Sequence, residues 1–69
     1  MLVHDIISII VQFVDGHERL HLRANSACPS LSIMRTDDEL IIGQGNKMHH
    51  INHTAILSYH YVGKAKEEN

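Results

Sequence analysis

The sequence predicts an all-β or β-dominated fold, with about five antiparallel strands in a small barrel-like or sandwich-like sheet. Short apolar segments rich in Val and Ile recur along the chain, and turn-forming residues separate them. One segment also alternates strictly between apolar and polar residues, which is the pattern of a strand with one solvated face. A short helical segment is expected only at the N-terminus or near residues 49–54.

The first apolar segment, residues 6–14, fits two structures. The polar residues in and around it recur every three to four positions, as on a helix. Its Val and Ile content favours a strand, because β-branched side chains suit a pleated surface. A strand would place on one face Ile7, Ile9, Val11 and Phe13, and on the other Ile6, Ile10 and Val14. Since both faces would be apolar, we expect a second chain to cover one of them.

An Asp15-Gly16 pair follows this segment, and it predicts a hairpin. The next strand alternates, with one face formed by Glu18, Leu20, Leu22 and Ala24 and the other by His17, Arg19, His21 and Arg23. Arginine makes bidentate contacts with phosphate, and histidine adds stacking and pH-dependent charge. The face His17, Arg19, His21 and Arg23 is therefore the candidate ligand or RNA surface, although the solvated side of an antiparallel sheet has the same composition.

The rest of the chain divides into short strands and turns. We predict a loop at 25–30, strands at 31–34 and 40–42 around a turn at 36–38, and a break at 43–46. A longer stretch follows from 48 to 62, with an irregularity near 52–54 and then a strand from 55 to 62. In that last strand Tyr59 and Tyr61 would share a face with Ala55 and Leu57. Residues 1–62 are predicted to form one domain, and residues 63–69 a polar tail.

Size and cysteine content predict a homo-oligomer. A chain of 69 residues buries a modest core, and its single cysteine, Cys28, cannot form an internal disulfide. A lone thiol and the absence of a long apolar run predict a cytoplasmic protein with no membrane segment. The formal charge of −2 argues against bulk phosphate binding. Because seven histidines accompany six basic and eight acidic residues, full protonation of the histidines would change that charge to +5.

Histidines also suggest two kinds of metal chemistry. Residues 17–21, His-Glu-Arg-Leu-His, match the zinc-protease pattern, which needs a helix to bring both histidines to one ion. A strand would separate them by about 13 Å, so we predict no catalytic site and no enzyme. His49, His50 and His53 are the alternative metal ligands, with Cys28 able to add a thiolate, provided that a helix brings them together.

The layout of several segments resembles that of the trp RNA-binding attenuation protein family. The resemblance rests on the hairpin around Asp15-Gly16, on residues 39–44 and on residues 53–56, and covers most of the chain. It implies a ring of small β-subunits that binds tryptophan and RNA. The sequence departs from the family where Ser58, His60 and Val62 replace the expected basic residues, and Sm-like RNA-binding rings share the same small bent-sheet character.

We therefore expect a non-catalytic binding or interaction module that acts as a homo-oligomer. It would be regulatory, would need no cofactor, and would bind an RNA, a small ligand or a protein partner. The alternative is a histidine-rich metal-binding protein.

Overall fold

The computed structural model describes residues 2–16 and 18–68, with side chains up to residue 63. The described residues form six strands and a short 3-10 turn. These elements are β1 (Leu2–Phe13), β2 (Leu20–Arg23), β3 (Leu31–Arg35), β4 (Glu39–Gln44), β5 (Lys47–Asn52), the 3-10 turn His53–Ala55 and β6 (Ile56–Glu68). The β-dominated prediction is confirmed. No helix in this part of the chain has the length and apolar content needed to span a bilayer.

The sheet is built around β1, which pairs antiparallel with three other strands. β6 runs along one edge of β1 for nearly its whole length. The other edge is divided: β3 pairs with residues 2–6 and β2 with residues 8–11. β4 and β5 continue the sheet beyond β3. The sheet curls into a half-barrel.

Two irregularities in β1 decide which of its residues face inward. Asp5 has a positive φ of 60°, and the pairing of β1 with β6 shifts register on both sides of Ile6. Such bulges change the alternation of side chains between the two faces. Ile6 is therefore fully buried, whereas Ile7 is 55% exposed. The strand prediction for residues 6–14 is correct, but the assignment of Ile6 and Ile7 to faces is wrong.

The core fills the concave side of the half-barrel. Its buried side chains are Val3, Ile6, Ile9, Val11, Cys28, Leu31, Ile33, Leu40 and Ile42, and no buried polar side chain occurs among the described residues. Partly buried apolar and aromatic residues from β2, β5 and β6 extend this cluster. Complete burial of one Leu or Ile side chain contributes roughly 1.5–3 kcal/mol. These residues therefore provide most of the free energy that holds the strands together.

The predicted turns lie close to where the structure has them. β1 and β2 are antiparallel, and Gly16 after Asp15 has a φ of 80°, in the left-handed region that favours glycine. The turn between β3 and β4 is closed by Thr36, whose hydroxyl accepts a hydrogen bond of 3.0 Å from the backbone N–H of Glu39. Gly43 and Gln44 belong to β4, so the next break is narrower than predicted and consists of Gly45 and Asn46.

The irregularity near 52–54 is the 3-10 turn between β5 and β6. The Asn52 side chain caps it by accepting a hydrogen bond of 3.0 Å from the backbone N–H of Thr54. The structure differs from two sequence predictions after this point. Leu57 is 66% exposed and does not share the inward face of Tyr59 and Tyr61, because β6 shifts register against β1 between Gln12 and Phe13. β6 also continues to Glu68 through pairing with residues 2–4, where a tail was predicted from 63.

Candidate ligand surface on the convex side

The alternation of β2 turns its basic residues outward. Leu20 and Leu22 are half-buried and pack against the core, whereas His21 and Arg23 are exposed. Arg19 precedes the strand and is also exposed. We call Arg19, His21 and Arg23 the basic face. His17, the fourth predicted member, lies outside the described residues.

The pairing registers show which residues surround the basic face. His21 lies opposite Ile10 of β1, and Ile10 lies opposite His60 of β6. Residues paired directly across strands project from the same side of the sheet. The three side chains therefore form one row, with the two histidines about 10 Å apart at their Cα atoms, given a strand spacing of ~4.8 Å. The next row contains Arg23, Ser8 and Val62.

An open groove of about 710 Å³ adjoins these rows and is lined by Ile10, Glu18, Arg19 and His21. Ile10 gives it an apolar floor, and the other three residues give it a charged or ionisable rim. The charges of Arg19 and Glu18 cancel within the lining, and Arg23 in the neighbouring row adds a positive charge beside the groove. The groove therefore suits a ligand that combines an anionic group with a less polar part.

A hydrogen bond inside the basic face fixes the state of one ring. The Nε of Arg23 donates to Nε2 of His21 over 3.3 Å. An arginine N–H can only donate, so Nε2 of His21 must carry a free lone pair. In this arrangement Nε2 acts as the acceptor, which is its role in the Nδ1–H tautomer of the ring.

The described residues of the zinc-protease pattern, 18–21, do not form a helix. Residues 20–23 form β2, and Glu18 and Arg19 before them are not helical. His17 lies outside the described residues. Because the pattern needs residues four apart on one helical face, the backbone from 18 to 23 gives the segment no protease geometry.

The alternative metal ligands are separated by the structure. His49 faces the inner side, where its Nε2 lies 3.1 Å from Oε1 of Gln44. His50, the next residue of β5, projects outward, with Nδ1 lying 3.5 Å from Oε1 of Glu39. In the 3-10 turn, Nε2 of His53 donates to the backbone oxygen of Thr36 over 2.9 Å. Within the described part of the chain, no three His, Cys, Asp or Glu side chains lie close enough to hold one metal ion.

Cys28 lies apart from these histidines. It is 8% exposed, and its thiol donates to the backbone oxygen of Ser30 over 3.2 Å. A second open cleft, of about 330 Å³, borders it and is lined mainly by the 27–32 segment together with His4, Gly43 and Gly45. The thiol is thus part of the packing under the β2–β3 loop, and among the described residues it joins no cluster of three metal-ligating side chains, so its predicted role as an added thiolate ligand has no geometric support.

Comparison with known proteins returned no match among protein-family models, curated proteins or solved structures.

Two residues of the candidate surface were not predicted from the sequence. Ile10 and His60 join His21 only through the pairing registers of β1 with β2 and β6. The strand alternation of residues 19–23 was visible in the sequence. Ile10 and His60 are 50 residues apart in sequence, and the register between β1 and β6 depends on the bulges of β1, which no local sequence pattern predicts.

Proposed function

We propose that this protein is a non-catalytic binding module that acts as a homo-oligomer, and that the basic face binds a phosphate-bearing ligand, with single-stranded RNA as the first choice. The observation that carries the proposal is the outward projection of Arg19, His21 and Arg23 beside a groove floored by Ile10. Guanidinium groups bind phosphate oxygens in a bidentate manner. Histidine and arginine planes also stack on unpaired bases.

The spacing of the basic face supports an extended ligand. Along a strand, residues two apart are separated by about 6.6 Å. Arg19, His21 and Arg23 therefore present polar groups at a repeat comparable to that of successive phosphates in an extended single strand. The formal charge of −2 limits non-specific attraction, so binding should depend on these few contacts.

The homo-oligomeric part rests on exposed apolar surface. The exposed large hydrophobic side chains include Ile7, Val14, Met34, Met48, Leu57 and Val62. A specific interface buries at least about 1,200 Å² in total, and such side chains are what it normally covers. β5 and β6 each have a single partner strand among the described residues, so each leaves an edge to which another chain can add.

RNA binding is tested with a fluorescent oligouridylate and an Arg19→Gln/Arg23→Gln double variant. Each phosphate contact to a single strand contributes about 0.7 to the slope of log K against log salt. We expect the double variant to lower that slope by about 1.4 and to weaken binding about tenfold at low salt. Arg35→Gln/Lys47→Gln changes the net charge equally on β3 and β5 and should leave the slope unchanged. An equal loss of affinity and of salt dependence in both double variants would refute the basic face as the binding surface.

The oligomer is tested by light scattering after size exclusion at micromolar concentration. We expect a mass that is a multiple of 7.8 kDa. A single species of 7.8 kDa at every concentration would refute the oligomer while leaving the RNA test unaffected.

A further inference from the structure

We infer that His21 makes ligand binding on the basic face pH-dependent, by holding Arg23 when the imidazole is neutral and releasing it when the imidazole is protonated. The inference rests on the proposed function, because it concerns the same surface. Its geometric basis is the 3.3 Å hydrogen bond from Nε of Arg23 to Nε2 of His21. The alternation of β2 places both side chains on the same face and so brings these groups together.

The chemistry of the imidazole sets the direction of the effect. Neutral His21 accepts the arginine N–H through the lone pair of Nε2. When a proton from solvent binds Nε2, that lone pair is lost and the hydrogen bond cannot form. The ring then carries a positive charge two residues from a guanidinium on the same strand face, and like charges at this distance repel. Arg23 is released toward solvent, and His21 becomes a second donor for an anion.

The groups that face His21 on the described elements do not reverse this direction. On its own segment are Glu18, Arg19 and Arg23, and Glu18 alone favours the charged ring. On β1 the stretch paired with β2, residues 8–11, contains no ionisable side chain. On β6 the only ionisable side chain in this row is His60, beyond Ile10. Protonation of His21 raises the summed charge of Glu18, Arg19, His21 and Arg23 from +1 to +2.

Binding of an oligouridylate at different pH values tests the coupling, because neither uridine nor its phosphodiester titrates in the range used. As the pH falls from about 7.5 to about 5.5, we expect the dissociation constant of the wild type to fall about threefold to tenfold. His21→Gln retains an acceptor for Arg23 but cannot be protonated, so its binding should change little over this range. His50→Gln changes an exposed histidine of β5, away from the basic face, and is the matched control that should keep this gain in affinity.

A second measurement needs no ligand. Long-range 1H–15N correlation spectra of the imidazoles report which ring nitrogen carries the proton. At pH ~7.5 we expect His21 to be the Nδ1–H tautomer in the wild type, since Nε2 accepts from Arg23. In Arg23→Gln the proton should move to Nε2 in part of the population.

The possible results separate this inference from the proposed function. The coupling is supported if His21 is the Nδ1–H tautomer and if the gain in affinity at low pH disappears in His21→Gln. An Nε2–H tautomer in the wild type, or an undiminished gain in His21→Gln, overturns the coupling while RNA binding itself stands. If the oligouridylate does not bind at any pH, the proposed function fails and this inference fails with it, even if the tautomer is as expected.

Discussion

Two segments of this molecule carry clustered basic side chains, and only one of them forms a surface. In the segment 19–23, the basic residues stand at every second position and project together from the convex side of the sheet. In the segment 49–53, His49 and His50 are adjacent in β5 and project to opposite sides, while His53 belongs to the following turn. The two segments have similar composition, so the difference between them is one of spacing.

This difference follows from the geometry of a strand. Side chains two apart share a face, and side chains one apart do not. A helix would have placed His49 and His53 together, but β5 extends through Asn52. The residues paired with the two histidines also differ. His49 lies in a row with Ile33 and Ile42 of the core, whereas His50 lies in a row with Met34 and Ile41 on the outside.

The largest effect on the free energy of unfolding is expected in the core row that contains Ile33, Ile42 and His49. Ile42 is fully buried between Ile33 and His49, and Ile42→Ala removes packing that cannot be replaced. We expect a loss of about 2–5 kcal/mol in the free energy of unfolding, measured by urea denaturation. His50→Ala, one row away on the outer face, should change it by less than about 0.5 kcal/mol. If Ile42→Ala does not fold, Ile42→Val should still cost about 1 kcal/mol. Equal effects of Ile42→Ala and His50→Ala would contradict the assigned faces.

The next effect concerns the β1 bulge that turns Ile10 toward the basic face. Gly63 has a φ of 138°, and a Cβ placed there would lie 2.7 Å from the backbone nitrogen of Ile7. Gly63→Ala should therefore destabilise the protein by about 1–3 kcal/mol in thermal or chemical unfolding. Gly16→Ala, at a φ of 80° but in open space, should cost less, about 1 kcal/mol. A smaller cost at Gly63 than at Gly16 would show that the bulge tolerates a side chain.

A smaller effect is expected at His53, where the second segment makes its strongest polar contact. The 2.9 Å hydrogen bond from Nε2 to the backbone oxygen of Thr36 ties the 3-10 turn to the β3–β4 turn. His53→Ala should lower the free energy of unfolding by about 0.5–1.5 kcal/mol. His53→Gln offers another donor and should recover part of that loss. No difference between alanine and wild type would mean that the contact contributes nothing in solution.

The smallest effect is expected on zinc binding when the three histidines of the second segment are replaced. Since the chain does not assemble His49, His50 and His53 around one point, the wild type and a variant with all three changed to Gln should bind Zn²⁺ with the same affinity in calorimetric titration. Stoichiometric binding by the wild type that the triple variant loses would show that a second chain completes a site from these residues. That result would favour the metal-binding alternative over the proposed function.

Much of the secondary structure could be predicted from the sequence, because its signals are local. The alternation of residues 18–24 gave β2 and its outward basic residues, and the turn residues placed the hairpins within one or two positions. β1 was predicted as a strand from its Val and Ile content. The homo-oligomer, the ligand and the absence of catalysis stay predictions, because the contacts among the described residues do not test them.

Errors occurred where long-range pairing overrides local alternation. Ile7 was predicted to share a face with Ile9, Val11 and Phe13, but it is 55% exposed while Ile9 and Val11 are buried, because the bulge at Asp5 shifts the faces of β1. Leu57 was placed on the tyrosine face and projects outward for a similar reason in β6. Residues 63–69 were predicted to form a polar tail, yet the backbone of β6 continues to Glu68 and pairs there with the start of β1. In each case the partner strand decides the conformation, and the partner is distant in sequence.

The sequence by itself determined that this chain forms strands, where most of them turn, and that Arg19, His21 and Arg23 would share a face, because a strand repeats every two residues. The tertiary structure decided which residues of β1 and β6 stand beside that face, since register and bulges arise from pairing between distant segments. It also decided that the histidines from 49 to 53 would be separated. The same residue types therefore form a candidate binding surface in β2 and scattered contacts in β5.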